Sequence, residues 1–208
     1  MNNLSRRRLT LHRGLQNQFL YMRKSMLLLP LFAGQSLLSF GQDRKSDSTL
    51  SSLLMLDLGG QGIGVTYEHR LSNKITGDIS AGIGGGHDIG EGFFEINYGY
   101  PAFYVSLTPK FFYNRQKRID KGKEMILNSG NYIGLRFKFV AANNGPFDYY
   151  RNSVLGNIHW GMRRALGQHW LFNFHVGAGY AEDIDYGFGT IYPAIDFKFS
   201  YVFFKPKK

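Results

Sequence analysis

The sequence predicts an all-β fold, an antiparallel up-and-down transmembrane β-barrel of about eight strands after an N-terminal signal peptide. Apolar and polar residues alternate with a period of two through most of the chain after residue 42. The 208 residues include 26 Gly, 18 Phe and 13 Tyr, a composition that favours aromatic-rich strands joined by permissive turns. No run of about 18 or more uncharged apolar residues follows residue 42, so strands are the expected membrane-crossing elements.

The start of the chain has the pattern of an export leader. Two basic residues follow Met22, and the stretch 26–40 after them is mostly apolar, which is the pattern of a cleaved signal peptide. Small residues favour cleavage near Gly41, and a short membrane anchor is the alternative interpretation. We therefore expect a true start at Met22, an N-terminal extension and signal peptide over 1–42, and one outer-membrane barrel domain over 43–208.

Charge and cysteine content narrow the function classes. The net charge is +10, but residues 1–42 hold six basic groups and no acidic ones. The remainder has 19 basic against 15 acidic residues, so no nucleic-acid partner is indicated. The absence of Cys excludes disulfides, thiolate metal sites and cysteine nucleophiles.

Eight segments of alternating polarity define the predicted strands. In the last of them Ile195, Phe197 and Phe199 are apolar, whereas Asp196 and Lys198 occupy the other face. The segments, in chain order, are 50–58, 63–68, 75–83, 103–113, 132–139, 153–163, 170–180 and 191–203. The first is the least regular, and most are long enough for a tilted strand to cross a bilayer.

The connections between these segments fall into two classes. Short or charged connections are 71–73, 115–127 and 165–167. Connections rich in Gly, Asp and aromatic residues are 87–100, 143–151 and 182–190, and a tight hairpin at 59–62 lies at the same end. With an even strand number both termini share one side, which we expect to be periplasmic, with the second class of loops outside.

A membrane barrel and a soluble barrel differ in whether the apolar face of each strand points outward or into the interior. A soluble sandwich or lipocalin-like barrel would have to place its many bulky rings in a small interior. Here the face opposite the rings carries Gly, Ser, Thr and full charges, which suits a narrow lumen. The apolar face then meets lipid, with Tyr67, Trp160, Trp170 and Tyr201 as interfacial residues.

Acidic and basic residues are predicted to meet inside the barrel. We expect a lumen ion-pair network, because an eight-stranded barrel has room for side chains but little water and confined charges must be paired. An ion pathway is the alternative. The predicted members are Asp57, Glu68, Arg70, Asp78, Lys110, Arg136, Lys138, Arg163, Asp196 and Lys198.

Other candidate sites receive weaker support. His159 and His175 are expected to point into the lumen as hydrogen-bonded residues, without a convincing third ligand for a metal. Catalysis would need a Ser/His/acid set near the outer rim. His87, in the predicted loop 87–100, and Ser153, at the start of the predicted strand 153–163, lie near that rim. Acidic candidates are Asp88, Glu91, Asp183 and Asp185. Since no fixed spacing joins them, no enzymatic activity, metal or cofactor is predicted.

Three segments carry a resemblance to a known family. They are LDLGGQGIGVTYEHRLSNK at 56–74, YNRQKRIDKGKEMILNSGNYIGLRFKF at 113–139 and IDFKFSYVFF at 195–204. Residues 43–208 resemble the small eight-stranded outer-membrane β-barrel proteins. The resemblance implies an aromatic signal for the barrel-insertion machinery at Phe203 or Phe204, although Lys205, Pro206, Lys207 and Lys208 follow it here.

The expected function is structural or surface-interactive. We expect a monomeric barrel in the cell outer membrane, plugged by ion pairs, whose partners are outer-membrane lipid, the insertion machinery and an unknown extracellular ligand. The basic run 115–123 suggests contact with anionic headgroups or peptidoglycan-associated partners. The alternatives are a lipid-modifying barrel enzyme that acts on lipid A or hydrolyses acyl chains, and a narrow, porin-like pore for small solutes.

Overall fold

The structure is a computed structural model that describes residues 49–123, 125–141 and 152–205. The predicted leader, 1–42, and the predicted connection 143–151 lie outside these residues. Within the described part of the chain, no helix combines the length and the apolar character needed to cross a membrane.

Eight antiparallel strands form a closed ring, in which each strand pairs with its neighbour in sequence and β1 pairs with β8. The strands are β1 (Leu53–Gly59), β2 (Gly62–Arg70), β3 (Ile75–Gly90), β4 (Phe93–Phe111), β5 (Gly130–Val140), β6 (Ser153–Leu166), β7 (Trp170–Asp183) and β8 (Gly189–Phe204). Each predicted segment of alternation corresponds to one strand. The predicted all-β, eight-stranded up-and-down barrel fold is therefore confirmed.

The polarity of the barrel is reversed relative to a water-soluble fold. In β8 the side chains of Ile195 and Phe197 are 61% and 51% exposed, whereas Asp196 between them is 5% exposed. Among the described residues, 23 polar or charged residues are buried against 17 apolar ones. The period-two pattern thus directs apolar side chains out and polar side chains into the lumen.

The two ends of the barrel differ. We call the end that holds the start of β1 and the end of β8 the terminal end, and the opposite end the distal end. At the distal end β3 and β4 project as one long hairpin with a turn at 91–92, so the prediction of a loop over 87–100 is wrong. Aromatic residues with high strand propensity continue β4, and a register shift between Gly85 and Gly86 keeps the strands paired.

The connection between β4 and β5 forms a folded cap at the terminal end. It contains a short helix, α1 (Arg115–Asp120), and a 3₁₀ turn (Ile126–Asn128). Leu127 and Asn128 adopt left-handed backbone angles, with φ of 51° and 59°. Leu127 is buried, and the Asn128 side chain accepts a hydrogen bond from the Ser51 N–H and donates one to the Ser51 C=O; these contacts hold the strained turn.

Apolar layers close both ends of the lumen. At the terminal end a cluster, here called the terminal plug, consists of Leu53, Met55, Leu127, Leu171 and Val202. At the distal end a second cluster, here called the distal lid, consists of Ile89, Ala102, Tyr104, Val140, Leu155, Ala181, Tyr192 and Ala194. The charged residues of the lumen lie between these two layers.

Candidate functional site

The structure brings most of the predicted lumen residues together. Asp57, Glu68, Asp78, Lys110, Arg136, Arg163, Asp196 and Lys198 all take part in ion pairs. Lys138 is buried beside them but bonds to a neutral residue. Arg70 lies apart at the end of β2, where its Nη2 donates to Asn73 Oδ1 over 2.5 Å.

The residues nearer the terminal plug form a balanced group, here called the inner cluster: Glu68, Asp78, Lys110 and Arg163. Arg163 Nη1 lies 2.7 Å from both carboxylate oxygens of Glu68. Lys110 donates to Asp78 and lies 3.8 Å from Glu68 Oε2. Two cations and two carboxylates, each at most 3% exposed, therefore neutralise one another away from bulk solvent.

Neutral side chains also bond to the inner cluster. Asn173 Oδ1 accepts a 2.8 Å hydrogen bond from Arg163 Nε, and Asn128 Nδ2 donates to Glu68 Oε1. Thr76 donates to Glu68 Oε2 over 3.3 Å. Because Asn128 belongs to the cap between β4 and β5, this bond ties the cap directly to the charged core. Such second partners are what a buried carboxylate needs beyond its ion pair.

The residues nearer the distal lid form a second group, here called the outer cluster: Asp57, Arg136, Lys138, Asp196 and Lys198. Lys198 Nζ lies 2.6 Å from Asp57 Oδ2, and Arg136 Nη1 lies 3.6 Å from Asp196 Oδ2. Lys138 instead donates to Gln61 Oε1 over 2.5 Å and lies 4.7 Å from the Tyr104 ring centroid. The outer cluster therefore has three cations for two carboxylates.

Small cavities accompany the outer cluster. One of about 30 Å³ lies among Asp57, Arg136 and Asp196, and one of about 40 Å³ lies between Lys138 and Tyr192. Asp57 Oδ1, Asp196 Oδ1 and Arg136 Nε are buried without a protein hydrogen-bond partner. A water molecule needs about 10–15 Å³ and a few polar partners, so these spaces suit single internal waters.

The paired histidines lie on the same wall of the lumen. The ring centroids of His159 and His175 are 4.3 Å apart, and His159 Nδ1 lies 2.7 Å from Asn157 Oδ1. The His159 ring also fills the space beside Gly134, where an added Cβ would lie 2.4 Å from Nε2. Among the residues that the structure describes, no three His, Asp or Glu side chains are grouped closely enough to hold a metal ion.

A serine and a histidine meet near the distal lid. His87 Nδ1 lies 3.1 Å from Ser153 Oγ, and the two residues are 3% and 1% exposed. Asp183 pairs with Ser153 in the sheet, but its Oδ1 accepts the backbone N–H groups of Asp185 and Tyr186 at 2.9 and 3.1 Å. The predicted rim residues thus give a Ser–His contact, while the Asp183 Oδ1 atom stabilises its own turn.

No protein-family model, curated protein or solved structure matches this chain.

The outer face carries a continuous apolar belt. On β4 the outward side chains of Phe103, Val105, Leu107 and Phe111 are at least 45% exposed, and so is Tyr113 directly after the strand. At ~3.3 Å per residue and a tilt of about 40°, the span from Phe103 to Tyr113 corresponds to a height of ~25 Å. At its terminal-end edge Trp160 Nε1 donates to Tyr113 Oη over 2.7 Å, and Trp170 packs edge-on against Tyr201 with centroids 5.1 Å apart.

Several residues that shape the lumen were not singled out from the sequence. Asn128, Asn173 and Gln61 bond directly to charged groups of the two clusters. Tyr104 on β4 lies over the neighbouring strands β3 and β2, so closely that a Cβ added to Gly64 would lie 2.4 Å from its hydroxyl. Alternation placed Tyr104 and Asn173 on the inner face. Because they are neutral, nothing in the sequence distinguishes them from other residues that line the lumen.

Proposed function

We propose that this chain is an exported outer-membrane β-barrel with a structural or surface-interaction role and a lumen closed by ion pairs. The observation that carries the proposal is the reversed polarity of the barrel. Buried salt bridges line its interior, while large apolar side chains such as Ile79, Phe103 and Ile195 are 61–68% exposed on its outside. An apolar surface of this extent favours association with lipid over water.

The dimensions of the belt support the same proposal. Its height of ~25 Å agrees with the apolar band of outer-membrane barrels. The Trp160–Tyr113 and Trp170–Tyr201 pairs lie at one edge, where aromatic rings favour the membrane interface. Closed pairing of β1 with β8 leaves no unpaired strand edge in the ring, as a lipid environment requires.

The filled lumen favours a structural or surface role over a pore. The terminal plug and the distal lid lie at opposite ends of the charged clusters, and the cavities near the outer cluster measure only about 30 and 40 Å³. A solute would have to break several buried ion pairs to pass. We therefore propose that partners bind at the loops and the outer surface.

The first test is heat-modifiable gel migration of the protein extracted from outer-membrane fractions. A closed barrel should migrate faster before boiling than after boiling. Phe197→Lys should reduce the folded band, because a Lys at the bilayer midplane costs about 2–4 kcal/mol. Tyr186→Lys is the matched control, since Tyr186 is 62% exposed in the turn after β7, beyond the belt.

Two outcomes would contradict the proposal. Equal folding of both variants would mean that the Phe197 face does not meet lipid. A native protein found only in the soluble periplasmic fraction, without a heat-dependent shift, would exclude a membrane barrel.

The His87–Ser153 contact supports a second candidate, a lipid-modifying barrel that hydrolyses acyl chains. A serine within reach of an imidazole is the minimum for a nucleophile and its base. Both side chains point into the barrel, however, and Lys138 rather than a carboxylate lines the cavity at His87. Ser153→Ala should abolish release of fatty acid from purified outer-membrane lipid if this candidate is correct; no release by the native protein would refute it.

A further inference from the structure

Charged residues outside the lumen are segregated by barrel end. The described residues of the terminal end include one acidic residue, Asp120, and nine basic residues. Arg115 is buried; the other eight, here called the basic ring, are Arg70, Lys74, Lys117, Arg118, Lys121, Lys123, Arg164 and Lys205. The described residues of the distal end include Asp88, Glu91, Glu95, Glu182, Asp183 and Asp185, and no Lys or Arg outside the outer cluster.

The basic ring follows the circumference of the barrel. Arg70 and Lys74 flank the β2–β3 turn, Lys117 and Lys121 lie in and after α1, and Lys205 follows β8. Arg164 lies near the end of β6. In the described chain, the β2–β3 turn, the cap between β4 and β5, the end of β6 and the residue after β8 therefore contribute positive charge, whereas 49–52 and the short 167–169 turn do not.

The basic ring adjoins the aromatic edge of the apolar belt. Tyr113, which accepts the Trp160 hydrogen bond, precedes Lys117 by four residues. Lys117, Lys121 and Lys123 are exposed. Partial burial lowers the pKa of Arg118, but a guanidinium still carries its charge at neutral pH. Cations directly beyond interfacial aromatics lie at the depth of lipid headgroups.

We propose that the basic ring binds anionic phospholipid headgroups in the membrane leaflet that surrounds the terminal end. This inference rests on the proposed membrane function. Half of the ring lies in the cap at 117–123, and Arg70, Lys74, Arg164 and Lys205 extend the positive charge around the rim, which a leaflet surrounds. Each Lys or Arg near an anionic membrane surface contributes about 1 kcal/mol, which corresponds to roughly fivefold in partition. The acidic distal end would gain nothing from such lipids.

The test uses the full barrel and two kinds of vesicle, one of pure phosphatidylcholine and one of equal parts phosphatidylcholine and phosphatidylglycerol. Insertion is followed as the heat-modifiable folded band against time. We expect faster insertion into the anionic vesicles at low salt, and loss of this preference at high salt. The triple variant Lys117→Gln, Lys121→Gln, Lys123→Gln should lower the preference about tenfold or more, since three charges are removed.

A matched variant removes three exposed charges from the distal end: Asp88→Asn, Glu91→Gln, Glu95→Gln. Its lipid preference should equal that of the native chain. Equal insertion into both vesicles, or an unchanged preference in the Lys variant, would overturn the inference. If the native chain shows no lipid preference but sediments with purified peptidoglycan through the same three Lys residues, the ring binds that polymer instead. Failure to insert into either vesicle would instead refute the proposed membrane function.

Discussion

Glu68 is the carboxylate on which the inner cluster depends most. Arg163 contacts both of its oxygens, Lys110 lies 3.8 Å away, and Asn128 and Thr76 donate to it. Glu68→Gln keeps the size of the side chain and one acceptor oxygen but removes the negative charge. The variant leaves two buried cations with Asp78 as the only carboxylate of the cluster.

The cost follows from burial. Glu68 and Arg163 are both 0% exposed, so water cannot compensate for the lost charge. Removal of one partner from a buried ion pair costs about 3–5 kcal/mol, because an uncompensated charge remains. We expect the free energy of unfolding to fall by that amount. The double variant Glu68→Gln, Arg163→Met should recover a large part of it, since Lys110 and Asp78 then balance each other.

The assay is urea unfolding of the barrel in detergent micelles or vesicles, followed by the fluorescence of Trp160 and Trp170 and by gel migration. Coincident transitions from the two methods would support a two-state treatment. Glu91→Gln, an exposed neutralisation in the distal hairpin, is the control and should change the unfolding free energy by less than about 0.5 kcal/mol.

A Glu68→Gln loss below about 1 kcal/mol would refute the reasoning, because it would mean that the cluster is hydrated. A double variant as unstable as the sum of the two single variants would refute it as well, since the residues would then not be coupled.

Two further predictions concern the lumen. Lys138→Met should retain or raise the free energy of unfolding in urea, because Lys138 bonds to neutral Gln61. Lys198→Met should lower that free energy, because it leaves Asp57 without its cation. A Lys138→Met variant less stable than Lys198→Met would contradict this view of the outer cluster. Gly134→Ala should destabilise the barrel by about 1–3 kcal/mol in the same assay, because the new Cβ would lie 2.4 Å from the His159 ring. Gly156→Ala is the control and should not destabilise it, because no atom lies within 4 Å of the new Cβ. Equal stability of the two Ala variants would mean that His159 does not fill that space.

Alternation in the sequence was sufficient to predict the barrel and most of the lumen. Because a strand places every second residue on one face, Glu68, Asp78 and Arg163 could be assigned inward from their own segments alone. Contact among these inward side chains could then be expected, because the interior of an eight-stranded ring is narrow. Arg70 had the same periodic position, but it is the last residue of β2, and its side chain bonds to Asn73 in the following turn instead of entering the lumen.

Other features depend on contacts that periodicity does not encode. Asn128 reaches Glu68 from a connection, through a left-handed backbone turn that no alternation predicts. The contact between His87 and Ser153 joins residues 66 positions apart in sequence. It requires β3 to continue past its bulge, whereas the glycine-rich sequence there suggested a flexible loop. Long-range register, not local propensity, decides these positions.

The fixed distal hairpin bears on how a surface role would work. Ile89 belongs to the distal lid and Phe94 packs against it, so the inward side of the hairpin is part of the core. Tyr98 Oη donates to Gly60 O over 2.5 Å, which joins the hairpin to the β1–β2 turn. These contacts tie the backbone of the hairpin, which presents exposed Phe93 and Tyr100, to the barrel, and such preorganisation lowers the entropy lost on binding. A partner that recognises this end would therefore meet a preformed surface, and replacement of Tyr98 by Phe should weaken its binding without unfolding the barrel.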